Sequence, residues 1–283
     1  MKKLLLFLPI VFFLHCRPVL QISYITDRTG NFDIFLTDEQ GKNHTQLTTN
    51  AGWDWSPQWN PYLNAVIYNS NDTSDNFSLK AMDLSAQPIP LNTYGLEEFI
   101  LSPKGGPALF TQRDSNFQYI FAFEPVTQQR TVLVQHPSYN GRPRWSPDGR
   151  YFSFISDRDG NNEIYLYDLA KHSIDRLTAT AAREKYTSWL PNGKAVVFTA
   201  QEEGREHNDI FQVDITAKTI TRITDDELTY EEIACSPDGK KIAFHGQRDG
   251  EHHLFVMDID GKNERRITAV DAYHGEPEWV SGK

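Results

Sequence analysis

The 283-residue chain reads as an all-β protein: a six-bladed β-propeller of four-stranded antiparallel sheets. Three observations predict it. A proline-centred turn recurs at Pro57, Pro103, Pro147, Pro191 and Pro237, at gaps of 46, 44, 44 and 46 residues. Outside the N-terminus no stretch of a dozen residues keeps helical periodicity. The last residues supply the one strand that the first repeat lacks. A repeat of this length is one supersecondary unit that needs neighbours to cover its faces.

The N-terminus comes first. Lys2 and Lys3 precede the apolar stretch Leu4 to Leu14, which is too short to span a bilayer and fits a secretory signal over 1–15. Cys16 follows, with 16–20 as a tether and 21–283 as the propeller. A cysteine there resembles the acylated first residue of bacterial lipoproteins. Its flank Phe13-Leu14-His15 departs from the usual lipobox, His15 most of all. The expectation is an exported protein of the periplasm or outer membrane, lipid-anchored through Cys16.

The clearest unit is Trp145 to Thr178. Ser146-Pro147-Asp148-Gly149 is a tight turn: proline presets φ, aspartate bonds its own backbone, and glycine accepts positive φ. Tyr151 to Ser156 is a β run with Phe152 and Phe154 on one face. Asp157 to Asn162 is a second turn. Ile164 to Leu169 is apolar on both faces, as in a sheet covered on both sides. Arg176-Leu177-Thr178 ends the unit, as Arg222-Ile223-Thr224 and Arg266-Ile267-Thr268 end two others. Two residues before each turn proline stand Trp55, Leu101, Trp145, Trp189 and Cys235, and Trp279 opens the final strand. The tryptophans are expected as packing between blades, with Cys235 an inert thiol in the same slot. Pro57, followed by Gln58-Trp59-Asn60, and Pro103 read as worn turns. Ile22 to Thr48 is a unit without its first strand, and Glu276 to Lys283 is that strand. Joined, they shut the ring and leave only short edges.

The repeats WSPDGRYFSFISDRDGNNEIYLYD and CSPDGKKIAFHGQRDGEHHLFVMD resemble those of the TolB-like propeller family, the WD40-like or PD40 type. The resemblance covers roughly residues 20 to 283. It leaves no room for the N-terminal α/β domain of that family between leader and Ile22. It implies an interaction module that docks a cell-envelope protein or peptide. Fold alone does not fix a function, since similar repeats build peptidase propellers and carbohydrate-active proteins.

One face of a propeller gathers the loops entering each first strand. From sequence it collects Asp54, Glu98, Arg142, Arg144, Tyr186, Glu231, Glu232, Glu276 and Glu278, with Arg28, Asp72, Arg113, Arg158, Glu202 and Arg248 from other loops. An aromatic precedes each first strand: Trp53, Tyr94, Tyr139, Tyr186, Tyr230 and Tyr273. Tyr139 to Trp145 parallels Tyr273 to Trp279, which adds His274. The residue types suit a protein or peptide contact. Rim solvation and loop packing are the structural alternative for each residue singly. Asp157 to Asn162 has the oxygen density of a calcium loop but not the spacing of an EF-hand. His252 and His253 point to opposite faces of a strand. No metal and no cofactor are expected.

A formal net charge of −10 argues against nucleic acid as a partner. No nucleophile elbow, HExxH, P-loop or GxGxxG is present. The reading is a non-catalytic, monomeric binding module. The alternative is a carbohydrate-active lyase or hydrolase with facing carboxylates at the channel mouth.

Overall fold

The computed structural model describes residues 20–71, 77–91, 99–114, 117–248 and 250–281. Six four-stranded antiparallel sheets are arranged as blades. Blade 1 is built from both ends of the chain: His274–Ser281 is its inner strand, followed outward by Leu20–Thr26, Asp33–Asp38 and Thr45–Gln46. The closing register pairs Leu20 with Ser281, Ile22 with Trp279 and Thr26 with His274. The predicted closure is therefore present. The other inner strands are Asp54–Asn60, Ile100–Leu101, Asn140–Trp145, Arg183–Trp189 and Thr229–Cys235.

No blade keeps a core to itself. Each of six apolar clusters is shared by two neighbouring blades. Blades 6 and 1, for example, meet through Ala243, Leu254 and Val256 on one side and Ile22, Tyr24 and Trp279 on the other. This is why both faces of the middle strands are apolar.

Local chemistry explains the repeats. The Ser146 hydroxyl donates to Asp148 (2.6 Å) and accepts from Tyr151 N–H (2.9 Å), and Gly149 turns the chain at φ 71°. The threonine ending four of the units fastens the short outer strand. Thr48, Thr178, Thr224 and Thr268 accept the N–H of Ile34, Ile164, Ile210 and Leu254 at 2.8–3.1 Å. The preceding arginine pairs with a buried acid: Arg176 with Glu163 (2.9 Å) and Arg222 with Asp209 (2.7 Å).

One alignment needs correction. The inner-strand residue paired seven positions downstream is Leu101 with Ala108, Trp145 with Phe152, Trp189 with Val196 and Cys235 with Ile242. In blade 2 that residue is Trp59, paired with Val66, not Trp55. The turn proline is Pro61, and Pro57 corresponds to Pro143 and Pro277 within the strand. The blade 2 turn is thus not worn but differently built: Asn60 Oδ1 accepts Leu63 N–H (3.0 Å) and Asn64 takes φ 52°. Blade 2 is shorter and carries two Trp-x-Pro strings, Trp55-Ser56-Pro57 and Trp59-Asn60-Pro61, so regular proline spacing points to the wrong one.

The tryptophans pack between blades, and they add a hydrogen bond. Indole N–H groups reach the inner strand of the preceding blade: Trp145 to Ile100 O (3.0 Å), Trp189 to Arg144 O (3.1 Å) and Trp279 to Ala234 O (2.9 Å). Trp59 takes the slot with its buried indole N–H unpartnered.

Candidate binding channel

Five of the six inner strands, all but the short Ile100–Leu101, are bent by a bulge near the middle. The ladder register shifts between Trp55 and Gln58, Gly141 and Arg144, Glu184 and Thr187, and Glu231 and Ala234, with a matching shift opposite Glu276. Ser56, Arg142, Glu232 and Glu276 take positive φ there, between 42° and 53°. Such φ is costly for a residue with a Cβ. A bulge re-aims a side chain, and here it aims these four along with Tyr186 at the propeller axis. Two residues on, Gln58, Arg144, Ser188 and Glu278 form a second ring. Together they wall a cavity of ≈ 310 Å³.

The rings are latched blade to blade. Glu232 accepts the N–H of Glu276 (2.7 Å), Glu276 accepts the N–H of Ser56 (2.5 Å), and Ser188 Oγ accepts the N–H of Cys235 (2.9 Å). Each channel side chain here satisfies a bulge or strand amide of its neighbour.

Charge is divided around the wall. Arg142 lies 4.3 Å over the Tyr186 ring, a cation–π contact. Arg144 is surrounded by protein yet touches the channel's solvent; burial lowers its pKa, which Glu278 opposes. Opposite stand the carboxyls. Burial, and then the neighbouring Glu232 charge, push Glu276 up to about 7. Burial also raises Glu278 to about 7, against the pull of Arg144. Burial would raise Glu232 too, but His245, the Glu276 N–H and Arg142 together hold it below the usual range. His245 supplies this from behind: it is buried, its Nδ1 sits 3.3 Å from Glu232, and its Nε2 is 2.9 Å from His252 Nδ1. Burial lifts the Cys235 thiol to about 12, so it stays protonated.

Of the residues singled out from sequence, Arg142, Arg144, Tyr186, Glu232, Glu276 and Glu278 meet in this channel. Glu231 lies one step out, beside Tyr139, Lys185 and Tyr186 in a second recess at the mouth. Tyr139 and Tyr273 are fixed by their own N–H groups, which donate to Asp157 (2.8 Å) and Asp27 (2.9 Å). Their rings lie over Gly141 and Gly275, where a Cβ would come within 2.3 and 2.6 Å of the tyrosine oxygens. That contact is the reason for the Tyr-x-Gly parallel.

Two expectations fail on geometry. Asp54 and His274 are fully buried rather than offered at the mouth. They share one register position with Asn140, Glu184 and Tyr230, facing the seam between blades. His274 bonds Val270 O (2.9 Å), and burial lowers its pKa to about 4. The second is the aromatic series. Trp53, Tyr139 and Tyr273 are equivalent, but Tyr230 belongs to the buried position and Tyr186 to the channel. Glu98, Tyr94, Asp72 and Cys16 lie outside the described residues.

The rim arginines are structural. Arg28, Arg158 and Arg248 stack on Phe35, Tyr165 and Phe255 at 4.6–4.7 Å. Asp157 and Asn161 spend their side chains on neighbouring loops. Ser56, Gln58 and Ser188 were missed; the correct register of Trp59 would have found the first two.

Comparison with known proteins comes down on the same fold. Residues 100–233 match the TolB beta propeller domain family model. TolB from Acinetobacter baumannii superposes with a TM-score of 0.80 at 23% identity, covering 92% of this chain and 66% of that one. A putative TolB from Agrobacterium tumefaciens gives 0.69 at 21% identity and 91% coverage of both chains. An oligogalacturonate lyase in complex with manganese gives 0.60 at 16%, covering 87% of this chain and 73% of that one. Among curated proteins, the uncharacterized peptidase YuxL of Bacillus subtilis is 29% identical over 89 residues, 31% of this chain and 14% of its own length. The uncharacterized protein Atu1656 of Agrobacterium fabrum is 30% identical over 90 residues, 32% of this chain and 30% of its own length. The chain therefore spans less than a third of either curated relative. The fold is a six-bladed β-propeller similar to that of TolB.

Proposed function

We propose that this TolB-like propeller is a non-catalytic binding module of the cell envelope, exported and tethered through an acylated Cys16, that receives a segment of a partner protein in its axial channel. The observation that carries the reading is the channel itself. Bulges at four blades hold Ser56, Arg142, Glu232 and Glu276 in strained backbone so that they face one cavity. Strain of this kind persists where surrounding structure over-determines it, and clusters at binding sites. Arginine and tyrosine on the wall are the residue types that dominate contact energy.

The blades themselves supply well-tolerated substitutions. Ser56 occupies the position of Arg142, and Gln58 that of Arg144 and Glu278. The triple variant R142S/R144Q/E278Q should keep the unmodified melting temperature within a few degrees and lose the captured partner in pull-downs from an envelope extract. Equal capture by both proteins would remove the channel as the site. Mass measurement of the mature N-terminus tests the acyl group on Cys16.

A second reading has one observation in its favour. The Glu278 carboxyl, raised to about 7 by burial and standing beside Arg144, suits acid–base work on an anionic sugar. Release of an unsaturated product from a polyuronate, absent in E278Q, would favour a lyase over a binding module.

A further inference from the structure

The axial wall carries two kinds of charge that answer differently to protons. Arg142 and Arg144 stay cationic throughout the physiological range. Facing them are Glu232, Glu276 and Glu278, and behind Glu232 a hydrogen-bonded imidazole pair, His245 and His252. These groups are linked physically. His252 is half-buried, His252 Nδ1 meets His245 Nε2 at 2.9 Å, and His245 Nδ1 stands 3.3 Å from Glu232 and 3.9 Å from Glu231. Glu232 in turn holds the Glu276 amide, and Glu276 holds the Ser56 amide. A continuous line of titratable groups thus runs from the rim of blade 6 to the axis.

We propose that this line is a proton-operated switch by which the channel holds an acidic peptide segment in mildly acidic medium and releases it as the pH rises through neutrality. The inference rests on the binding reading above and specifies the charge of its ligand.

The groups around each member fix the sign. His245 faces Glu231 and Glu232 from its own inner strand, His252 from the next strand out, and the Tyr273 ring from blade 1 at 5.4 Å. Glu276 faces Glu232, Arg142, Arg144 and Tyr273. Glu278 faces Arg144 and the Cys235 thiol. Tyr186 lies under Arg142 and near Glu231 and Glu232, and Lys185 sits at the mouth.

Below neutrality Glu276 and Glu278 are protonated and neutral, while Glu232, held below the usual carboxylate range, stays ionised beside His245. Of the three wall carboxyls only Glu232 is then ionised, and it is left to answer two guanidiniums. Guanidinium binds carboxylate through paired N–H donors, so an acidic side chain is the group that fits. Above neutrality Glu276 and Glu278 ionise. Every change moves the wall in one direction, toward negative, and the arginines are neutralised from within. A bound carboxylate meets repulsion in a site of low dielectric. Substitution with glutamine has a local precedent, since Gln58 already stands at the Glu278 position.

Isothermal titration calorimetry with an acetylated, amidated tetra-aspartate peptide, at pH 6.0 and pH 8.5 and fixed ionic strength, tests the switch. Binding should be at least fivefold tighter at pH 6.0. E276Q/E278Q should bind at both pH values with most of that difference gone, and R142S/R144Q should bind at neither. Melting curves of the variants at both pH values separate loss of fold from loss of binding. Equal affinity at the two pH values, no binding at either, or an undiminished pH effect in E276Q/E278Q overturns the proposal. A partner captured from extract without pH dependence overturns the switch and leaves the channel as the site. Switching toward tetra-aspartate with no partner captured sustains the switch and counts against the protein-partner reading.

Discussion

The revised register of blade 2 makes a quantitative prediction about its tryptophan. Trp59, Trp145, Trp189 and Trp279 occupy one slot, but three donate an indole hydrogen bond across a blade seam and Trp59 does not. Replacing each in turn by phenylalanine removes the indole's second ring everywhere and the hydrogen bond only at three sites. A net hydrogen bond is worth about 0.5–1.5 kcal/mol, and an acceptor left buried and unpaired costs about 1–3 kcal/mol. W145F, W189F and W279F should therefore each lose about 1–3 kcal/mol more than W59F. Trp59 is also less buried than the other three, which acts in the same direction. Trp189 allows a sharper test because its N–H lies 3.1 Å from Arg144 O and 3.2 Å from Ser153 Oγ. In a double-mutant cycle, S153A should couple to W189F by about 0.5 kcal/mol or more and to W145F by nothing measurable. Urea unfolding followed by far-UV circular dichroism reads all of these. A W59F cost equal to that of W279F would refute the account of the slot.

Two further outcomes follow from local geometry. G141A places a methyl group against the Tyr139 hydroxyl, so the ring must leave its seat; the variant should lose about 1–3 kcal/mol, and adding Y139A should recover part of it in the same urea assay. Glu184 is buried beside Glu163, and burial first, then that neighbour, raises its carboxyl to about 8. A raised folded pKa gives stability that is complete below the unfolded value and lost as pH climbs toward 8. Unfolding free energy should fall with pH between 5 and 8 with a contribution approaching about 1.4 kcal/mol per unit. E184Q should flatten that slope and exceed the unmodified protein in stability at pH 8.5, as denaturant midpoints at three pH values would register.

The framework was legible because it repeats. Pro147, Gly149, Phe154, Thr178 and Trp145 recur with the turn or seam that each one builds, and the unmatched halves at the two termini pointed to closure. The axial wall was partly legible for the opposite reason. Arg142, Arg144, Glu232, Glu276 and Glu278 stood out as charges just ahead of the recurring tryptophan slot in the first strand of their units. What sequence alone did not reveal was the bulge. Alternation along a regular strand puts Asp54, Asn140 and His274 on the same side as residues two further on. One extra residue in the strand breaks that parity, sending His274 into the seam and Glu276 to the axis. Nothing in the string marks the bulge, because Ser, Arg and Glu are not the glycines that usually announce positive φ. His245 escaped notice for a different reason. It lies on the second strand, and only the folded ring brings it behind Glu232.

The division between what repeats and what does not separates stability from function in this molecule. Seam tryptophans, outer-strand threonines and rim arginines recur in several blades and each has a structural partner. At the bulge position the backbone recurs while the side chain changes from blade to blade: Ser56, Arg142, Tyr186, Glu232, Glu276. A position that needed only to close the ring would settle on one residue able to accept the next blade's amide, as Glu232 and Glu276 do. Arg142 cannot accept a hydrogen bond, yet it sits in the same strained conformation at φ 53°. Its presence is explained by the cavity it faces and by Tyr186 beneath it, not by the seam. Selection for a ligand is the simplest source of that variety, and the arginine side of the wall is where loss of binding should first be sought.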